Sequence, residues 1–180
     1  TLDLMRNSFK IDERALLTLD SRPQRIFTQA NFGLNEVTIH KSNTNEMILV
    51  HTYINGEFLN SYWTDGLIIC TPTGSTAYNL AAGGPIITPR SGNFCLTPIA
   101  PHSLTVRPII IPDSAVISFE IESRSGQALV AIDNMTELIP DHLEIAVRRA
   151  NFNARLIKLP SQSYYGTLRT RLSWGFDTRN

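Results

Sequence analysis

Met47-Ile48-Leu49-Val50-His51-Thr52-Tyr53-Ile54-Asn55-Gly56-Glu57-Phe58-Leu59-Asn60-Ser61-Tyr62-Trp63 is two apolar-rich runs joined by Asn-Gly. Asn-Gly takes up the left-handed conformations of a tight hairpin turn, so the stretch predicts two antiparallel strands. Asp65-Gly66 and a fully apolar run, Leu67 to Cys70, follow directly. Thr71-Pro72-Thr73-Gly74-Ser75-Thr76-Ala77-Tyr78 comes next, and Gly83-Gly84-Pro85 closes the segment. This second stretch predicts a strand, a hydroxyl-rich turn, a short helix over 75–82 and a glycine stop.

Outward from there, strand-like runs dominate. Ala15–Leu19 and the alternating Glu36–His40 precede the hairpin. Val106–Ile111, Val116–Ile121, Leu129–Ile132, Leu143–Val147 and Ala154–Leu159 follow it. Pro108, Pro112-Asp113, Ser123 to Gly126, Pro140-Asp141 and Pro160 break them apart. Short strands at this spacing predict a mainly β fold, a layered antiparallel β-sandwich with two short helices. The second helix is expected over Tyr164–Leu172, where Leu168 and Leu172 fall on one face. Residues 1–180 are expected to form a single domain.

The bulk chemistry narrows the class. Sixteen Lys and Arg balance sixteen Asp and Glu, which argues against a general nucleic-acid binder. The C-terminal part is basic, from Arg148 and Arg149 through Arg155, Lys158, Arg169 and Arg171 to Arg179, with Asp177 the only acid. That pattern is either a solvated face or a phosphate-facing surface. Cys70 and Cys95 sit beside apolar residues without metal spacing, as expected of reduced thiols in a cytoplasmic protein. No apolar run approaches the roughly 20 residues of a membrane span. The four histidines show no ligand spacing and are read as non-catalytic. Rossmann, P-loop and nucleophile-elbow glycine patterns are absent.

Within the turn, Pro72 stiffens the strand exit, and Gly74 is expected to supply a φ that other residues avoid. Thr73, Ser75 or Thr76 is expected to cap the helix. A turn of this kind is either a plain capped turn or a nucleotide-binding one. Tyr78 is either a core tyrosine or an aromatic face for a purine. Asn35-Glu36, Asp65-Gly66 and Asp133 each read locally as strand-end turns.

Taken in order, Asn35-Glu36, Asp65-Gly66, Thr71 to Tyr78 and Gly83-Gly84-Pro85 resemble the C-terminal domain of the NAD kinases. Arg107 to Pro112 resembles that family's next strand, and Leu168-Arg169 with Leu172-Ser173-Trp174-Gly175 its C-terminal end. Thr71 to Tyr78 is the most specific piece. Two departures stand out. The Gly-Gly-Asp-Gly-Thr motif of the family's N-terminal α/β domain does not occur, so the chain corresponds to about the second half of such an enzyme. The catalytic aspartate is expected outside it. In place of the family's Asp-Gly after the late strand stands Asp133-Asn134-Met135, with Asn134 expected to take the positive φ.

The resemblance implies phosphorylation of the 2′-hydroxyl of NAD's adenosine ribose, giving NADP. ATP or another phosphoryl donor and a divalent cation, Mg²⁺, would take part. It implies that Asn35 and Glu36 lie by the ribose and nicotinamide end. Asp65, Thr73, Thr76, Ala77 and Tyr78 would surround the nucleosides, and Asn79, Leu80 and Ala81 would line the same pocket. No residue of the chain is assigned to a metal. A homodimer or homotetramer is implied, and so is a tail from about residue 160 that packs on the N-terminal domain. The alternatives are a lipid kinase of the diacylglycerol or sphingosine kinase type and a non-catalytic nucleotide-binding module. The polar set Asn35, Asp65, Thr73 and Thr76 argues against an acyl chain.

Overall fold

The computed structural model describes residues 9–174. Its strands are β1 (Lys10–Arg22), β2 (Phe32–Gly33), β3 (Glu36–Lys41), β4 (Ile48–Ile54), β5 (Glu57–Thr64), β6 (Gly66–Cys70), β7 (Asn93–Ile99), β8 (Ile109–Pro112), β9 (Ile117–Glu122), β10 (Gln127–Ile132), β11 (Met135–Pro140) and β12 (Glu144–Lys158). Two helices accompany them, α1 (Tyr78–Ala81) and α2 (Tyr164–Arg171), with a 3-10 turn at Gly74–Thr76. The strands form two six-stranded sheets. Sheet A runs β2-β1-β12-β9-β4-β5 and sheet B runs β11-β10-β3-β6-β7-β8. The mainly β, layered antiparallel architecture is the expected one.

Chain contacts divide into two compact units, Arg14–Ala154 and the combination of Thr1–Glu13 with Arg155–Asn180. The larger unit holds the sandwich core. Val37 and Ile39 of β3, Leu67 and Ile69 of β6, Phe94 and Leu96 of β7, and Val130 and Ile132 of β10 enter it from sheet B. Leu17, Leu19, Ile48, Val50, Ile117, Phe119, Ile145 and Val147 enter it from sheet A. Alternation of period two sends every second side chain inward, and removing this apolar surface from water is the main stabilising term. In the smaller unit, Ser163 caps α2 by accepting from the Gly166 N–H at 2.9 Å. Leu168 is buried there, and Arg155 pairs with Glu13 at 3.4 Å.

The hairpin is as expected. Asn55 and Gly56 both lie in the left-handed region, φ 52° and 83°, and Ile54 faces Glu57 across the turn. Elsewhere the structure revises the expectation. The runs expected at Leu143–Val147 and Ala154–Leu159 merge into one 15-residue strand, Glu144–Lys158, because nothing between them withholds an N–H or forces a turn. Strand β7 escaped notice because of Pro98. Its pairing with β8 ends at Leu96, so the proline interrupts no bond on that side. Strand β11 is an edge strand with mostly exposed residues and little alternation to read. Strand β8 begins only after Pro108. The helix expected over 75–82 is a 3-10 turn followed by a four-residue helix, interrupted at Ala77 (φ −97°, ψ −129°).

In the basic region, Arg148 pairs with Asp20 at 2.7 Å and Arg149 with Asp113 at 2.6 Å. These two guanidinium groups are neutralised on an exposed face. Gly175, Asp177 and Arg179 lie outside the described residues. No helix among the described residues is long and apolar enough to cross a membrane.

Candidate functional site

On β3, Glu36, Thr38 and His40 alternate with the core residues Val37 and Ile39. Ladder register places them in rows on the outer face of sheet B. Glu36 faces Cys70, Thr38 faces Ile68, and His40 faces Gly66. Each row continues onto β7, through Cys95, Thr97 and Ile99. Residues 72–87 cross above the β6 and β7 part of this face. Ile87 and Ala82 pack there on Ile68, Cys70 and Cys95. The β3 edge is left half-covered, and its outward positions form a strip about 13 Å long at the strand's rise per residue.

One end of the strip is a backbone clamp. Asp133, in the two-residue turn between β10 and β11, accepts the N–H groups of Leu34, Asn35 and Glu36 at 2.8, 2.8 and 3.0 Å. Asp133 itself takes the positive φ of that turn, 49°, so the left-handed residue is not Asn134. This conformation turns its carboxylate back onto the start of β3. From the opposite side, the Thr71 N–H donates to the Asn35 carbonyl at 2.9 Å, and the Thr71 hydroxyl donates to the Leu34 carbonyl at 2.6 Å.

Gly74 completes the clamp, for a reason other than the expected one. Its φ is not positive. A Cβ there would lie 2.1 Å from the Asn35 carbonyl oxygen, so glycine is needed for close approach. The helix caps also differ from expectation, since Thr73 and Ala77 stand at the N-caps without a side-chain capping bond. Thr71 accepts the Gly74 N–H at 3.1 Å instead. Ser75, fully buried, donates to the Pro72 carbonyl at 2.7 Å and accepts the Ile87 N–H at 2.9 Å. The Ser75 hydroxyl staples the turn to the returning segment at Ile87. Thr73 is half-buried, and its hydroxyl accepts from Arg14 Nη1 at 3.2 Å.

At the other end of the strip, Tyr78 stacks on His40 with ring centroids 5.7 Å apart and planes 14° from parallel. Tyr78 stays 39% exposed, so it forms a wall and not part of the core. Asp65 pairs with Lys41 at 2.7 Å. Burial pushes the His40 imidazole below its ordinary range, against an opposing pull from Asp65. Thr76, Ala77 and Ala81 are exposed, and Leu80 is half-buried. Asn79 is fully buried, and its amide is fully engaged. It donates to the Ser75 and Pro85 carbonyls at 3.1 Å each and accepts from Thr97 at 2.6 Å.

Glu36 is the electrostatic oddity. One carboxyl oxygen, Oε2, is buried without a hydrogen-bond partner. Its pKa is raised to about 7, first by burial and then by the neighbouring Asp133. Beneath it, the free cysteines Cys70 and Cys95 are buried cross-strand neighbours. Contact with Cys95 and burial push the Cys70 thiol up. Among the described residues, no three His, Cys, Asp or Glu side chains converge as a metal site.

The structure brings Asn35, Glu36 and Thr73 together at one end of the strip and Asp65 and Tyr78 at the other. Sequence reading took His40 as non-catalytic and Thr71 only as part of the motif, and it did not place Lys41 at the site. It also took Asp133 as a strand terminus when read locally. Its position directly after an apolar strand was the available signal.

A two-layer antiparallel sandwich, with a hydroxyl-rich turn and short helix laid over the outer face of one sheet, defines the class. Residues 34–159 match the family described as ATP-NAD kinase C-terminal domain, and the chain belongs to that family. It is 47% identical over 178 residues to the NAD kinase of Cytophaga hutchinsonii, covering 99% of this chain and 61% of that protein. The NAD kinase of Bacteroides fragilis is 42% identical over 177 residues, covering 98% and 61%. The chain therefore spans about three-fifths of the length of these curated relatives. Among solved structures, yeast NADH kinase complexed with NADH aligns with TM-score 0.86 at 26% identity, covering 99% of this chain and 53% of that one. An NAD kinase from Archaeoglobus fulgidus in complex with ATP shares the fold, with TM-score 0.76 at 23% identity, covering 93% and 63%.

Proposed function

We propose that the chain is the NAD-binding part of an NAD kinase, an enzyme that moves a phosphoryl group from ATP to the 2′-hydroxyl of the adenosine ribose of NAD. NADP biosynthesis in the cytoplasm is the corresponding role. The strip on β3 carries the reading. It offers a clamped polar end and an aromatic wall on one half-covered face. Asn35 and Glu36 take the ribose and nicotinamide end. Asp65, Thr73, Thr76, Ala77 and Tyr78 surround the nucleosides, with Leu80 and Ala81 beside them. Asn79, its amide already engaged, positions that segment from beneath.

Phosphoryl transfer depends mainly on positioning and charge stabilisation. This domain fixes the acceptor hydroxyl, while the proton acceptor and the phosphate loop belong to the family's Gly-Gly-Asp-Gly-Thr domain. Among the described residues no side chains converge as a metal site, and the Mg²⁺ that accompanies ATP would be held with the donor phosphates. Self-association as a homodimer or homotetramer belongs to the same proposal. Its support is the open edges of both sheets, with Phe58 on β5, Ile109 and Ile110 on β8, and Leu138 on β11 exposed. The tail from about residue 160 is proposed to pack on the α/β domain.

The test is NADP formation from NAD, ATP and Mg²⁺ by the full-length protein that carries this chain. The expected result is turnover there and none from residues 1–180 alone. Turnover by the isolated chain, or none by the full-length protein, overturns the reading. Light scattering on the full-length protein should give an even multiple of the monomer mass.

A further inference from the structure

We propose that Glu36 meets the dinucleotide as a carboxylic acid, so that binding of NAD is coupled to holding a proton on this side chain. The inference rests on the reading of the β3 strip as the NAD site and adds a protonation state to it. Three observations on geometry lead there. First, Glu36 Oε2 is buried and has no partner. An ionised oxygen left in that position bears the full desolvation cost, whereas the acid avoids the charge. Second, the nearest candidate for sharing a charge is already committed. Both oxygens of Asp133 accept backbone N–H groups, including that of Glu36 itself at 3.0 Å. Third, the two residues are tied back to back, since the Asp133 N–H also donates to the Glu36 carbonyl at 3.0 Å. Two carboxylates in one corner repel, and an incoming pyrophosphate would add further negative charge.

The other groups around Glu36 do not supply a counter-charge. Cys70 faces it from β6, with Cys95 behind on β7, and both are free thiols. Thr38 separates it from His40 along β3. From the overlying turn, the Thr73 hydroxyl accepts from the Arg14 guanidinium, and this cation is not among the groups that shift the Glu36 carboxyl, which are burial and Asp133. His40 is the other titrating group on the face, and burial moves it downward, away from the window that concerns Glu36. Burial and Asp133 set the Glu36 carboxyl near pH 7. The acid then falls from about nine-tenths populated at pH 6 to about one-tenth at pH 8, and apparent affinity follows the competent fraction.

The experiment measures NAD affinity by titration calorimetry between pH 6 and pH 8, on the full-length wild type and on Glu36→Gln. Glutamine keeps the shape and hydrogen-bonding capacity of the acid but cannot ionise. Wild type should weaken about tenfold across this range. Glu36→Gln should stay flat and within about twofold of the wild-type value at pH 6. At pH 8, calorimetry in two buffers of different ionisation enthalpy should show proton uptake for wild type and none for the variant. A flat wild-type profile, or a variant that retains the wild-type slope, overturns the proposal. A melting curve of each preparation confirms that the variant is folded. The ligand-free protein gives an independent test through the carbon-13 shift of the Glu36 carboxyl. Titration near 7 supports the proposal, and titration near 4.5 overturns it whatever NAD does. Absence of NAD binding by wild type at every pH overturns the assignment of the strip as an NAD site, a failure the carboxyl titration keeps separate.

Discussion

The outer faces of the two sheets are built from the same strand geometry and do different things. On sheet A, polar side chains close on one another across strands. His51 contacts Ser61 at 2.7 Å and Glu122 at 3.0 Å, and the Tyr53 hydroxyl donates to Glu120 at 3.0 Å. On sheet B, the bonds run from side chain to backbone and hold two loops against the start of β3, while a carboxyl oxygen of Glu36 is left unmatched. Cross-strand pairs such as those of sheet A contribute a few tenths of a kcal/mol to about 1 kcal/mol each and ask nothing of a ligand. A clamp that leaves a carboxyl oxygen unsatisfied is what the proposed ligand-binding role of this face requires. Mutations that separate the two faces test this contrast.

The largest effect is expected from Asp133→Ala. Three backbone N–H groups lose their acceptor at once, and each one left unsatisfied costs about 1–3 kcal/mol. Chemical denaturation should show a loss of about 3–5 kcal/mol together with loss of NAD binding. A loss under about 1 kcal/mol means the clamp does not hold β3.

Gly74→Ala comes next. The new methyl group meets backbone, which cannot swing aside, so about 1–3 kcal/mol of overpacking strain is expected. Because that strain bears on Asn35, the KM for NAD should rise even where the variant stays folded. A Gly74→Ala protein with wild-type melting temperature and KM breaks the argument from close approach.

Substitutions at the strip itself should leave folding alone. Asn35→Ala and Asp65→Ala should raise the KM for NAD by the equivalent of about 1–3 kcal/mol and leave the KM for ATP nearly unchanged. Tyr78→Phe should retain the stacking surface that Tyr78→Ala removes. If the alanine variants melt early yet bind NAD normally, these residues are scaffold, and the two faces do not differ in kind.

The pH dependence of stability sharpens the same contrast. Glu36 has a folded pKa above its unfolded value of 4.5, so between 4.5 and about 7 the folded state binds more protons than the unfolded state. Stability contributed by this residue is present below 4.5 and lost as pH rises towards 7. Melting temperatures should therefore show Glu36→Gln gaining on wild type as pH goes from about 5 to about 8. A constant difference removes the effect. The smallest change is expected on the other face, where His51→Ala should cost about 0.2–1 kcal/mol in stability and leave the KM for NAD unchanged.

Much of this was legible before the fold was known, and the boundary has physical causes. Local interactions leave local marks. The Asn55-Gly56 turn, the alternation of Glu36–His40 and the glycine stop at Gly83 depend on neighbours in the chain, and the structure contains each of them. Readings failed where a non-local partner decided the outcome. Pro98 belongs to a strand because its neighbour β8 has already ended. Gly74 is a glycine because Asn35, far away in sequence, presses against it. That Asn79 is buried with its amide bonded to Thr97 of β7 is likewise set by a strand distant in sequence.

By itself, the sequence determined the two-sheet antiparallel class, the hairpin and the family, because periodicity, turn chemistry and a specific motif are written along the chain. Only the tertiary structure decided that Asp133 clamps Leu34 to Glu36, that His40 backs Tyr78, and that Glu36 has an oxygen with nothing to bond. Those facts depend on which side chains from separate strands share one face of a sheet, and that is set by register and packing.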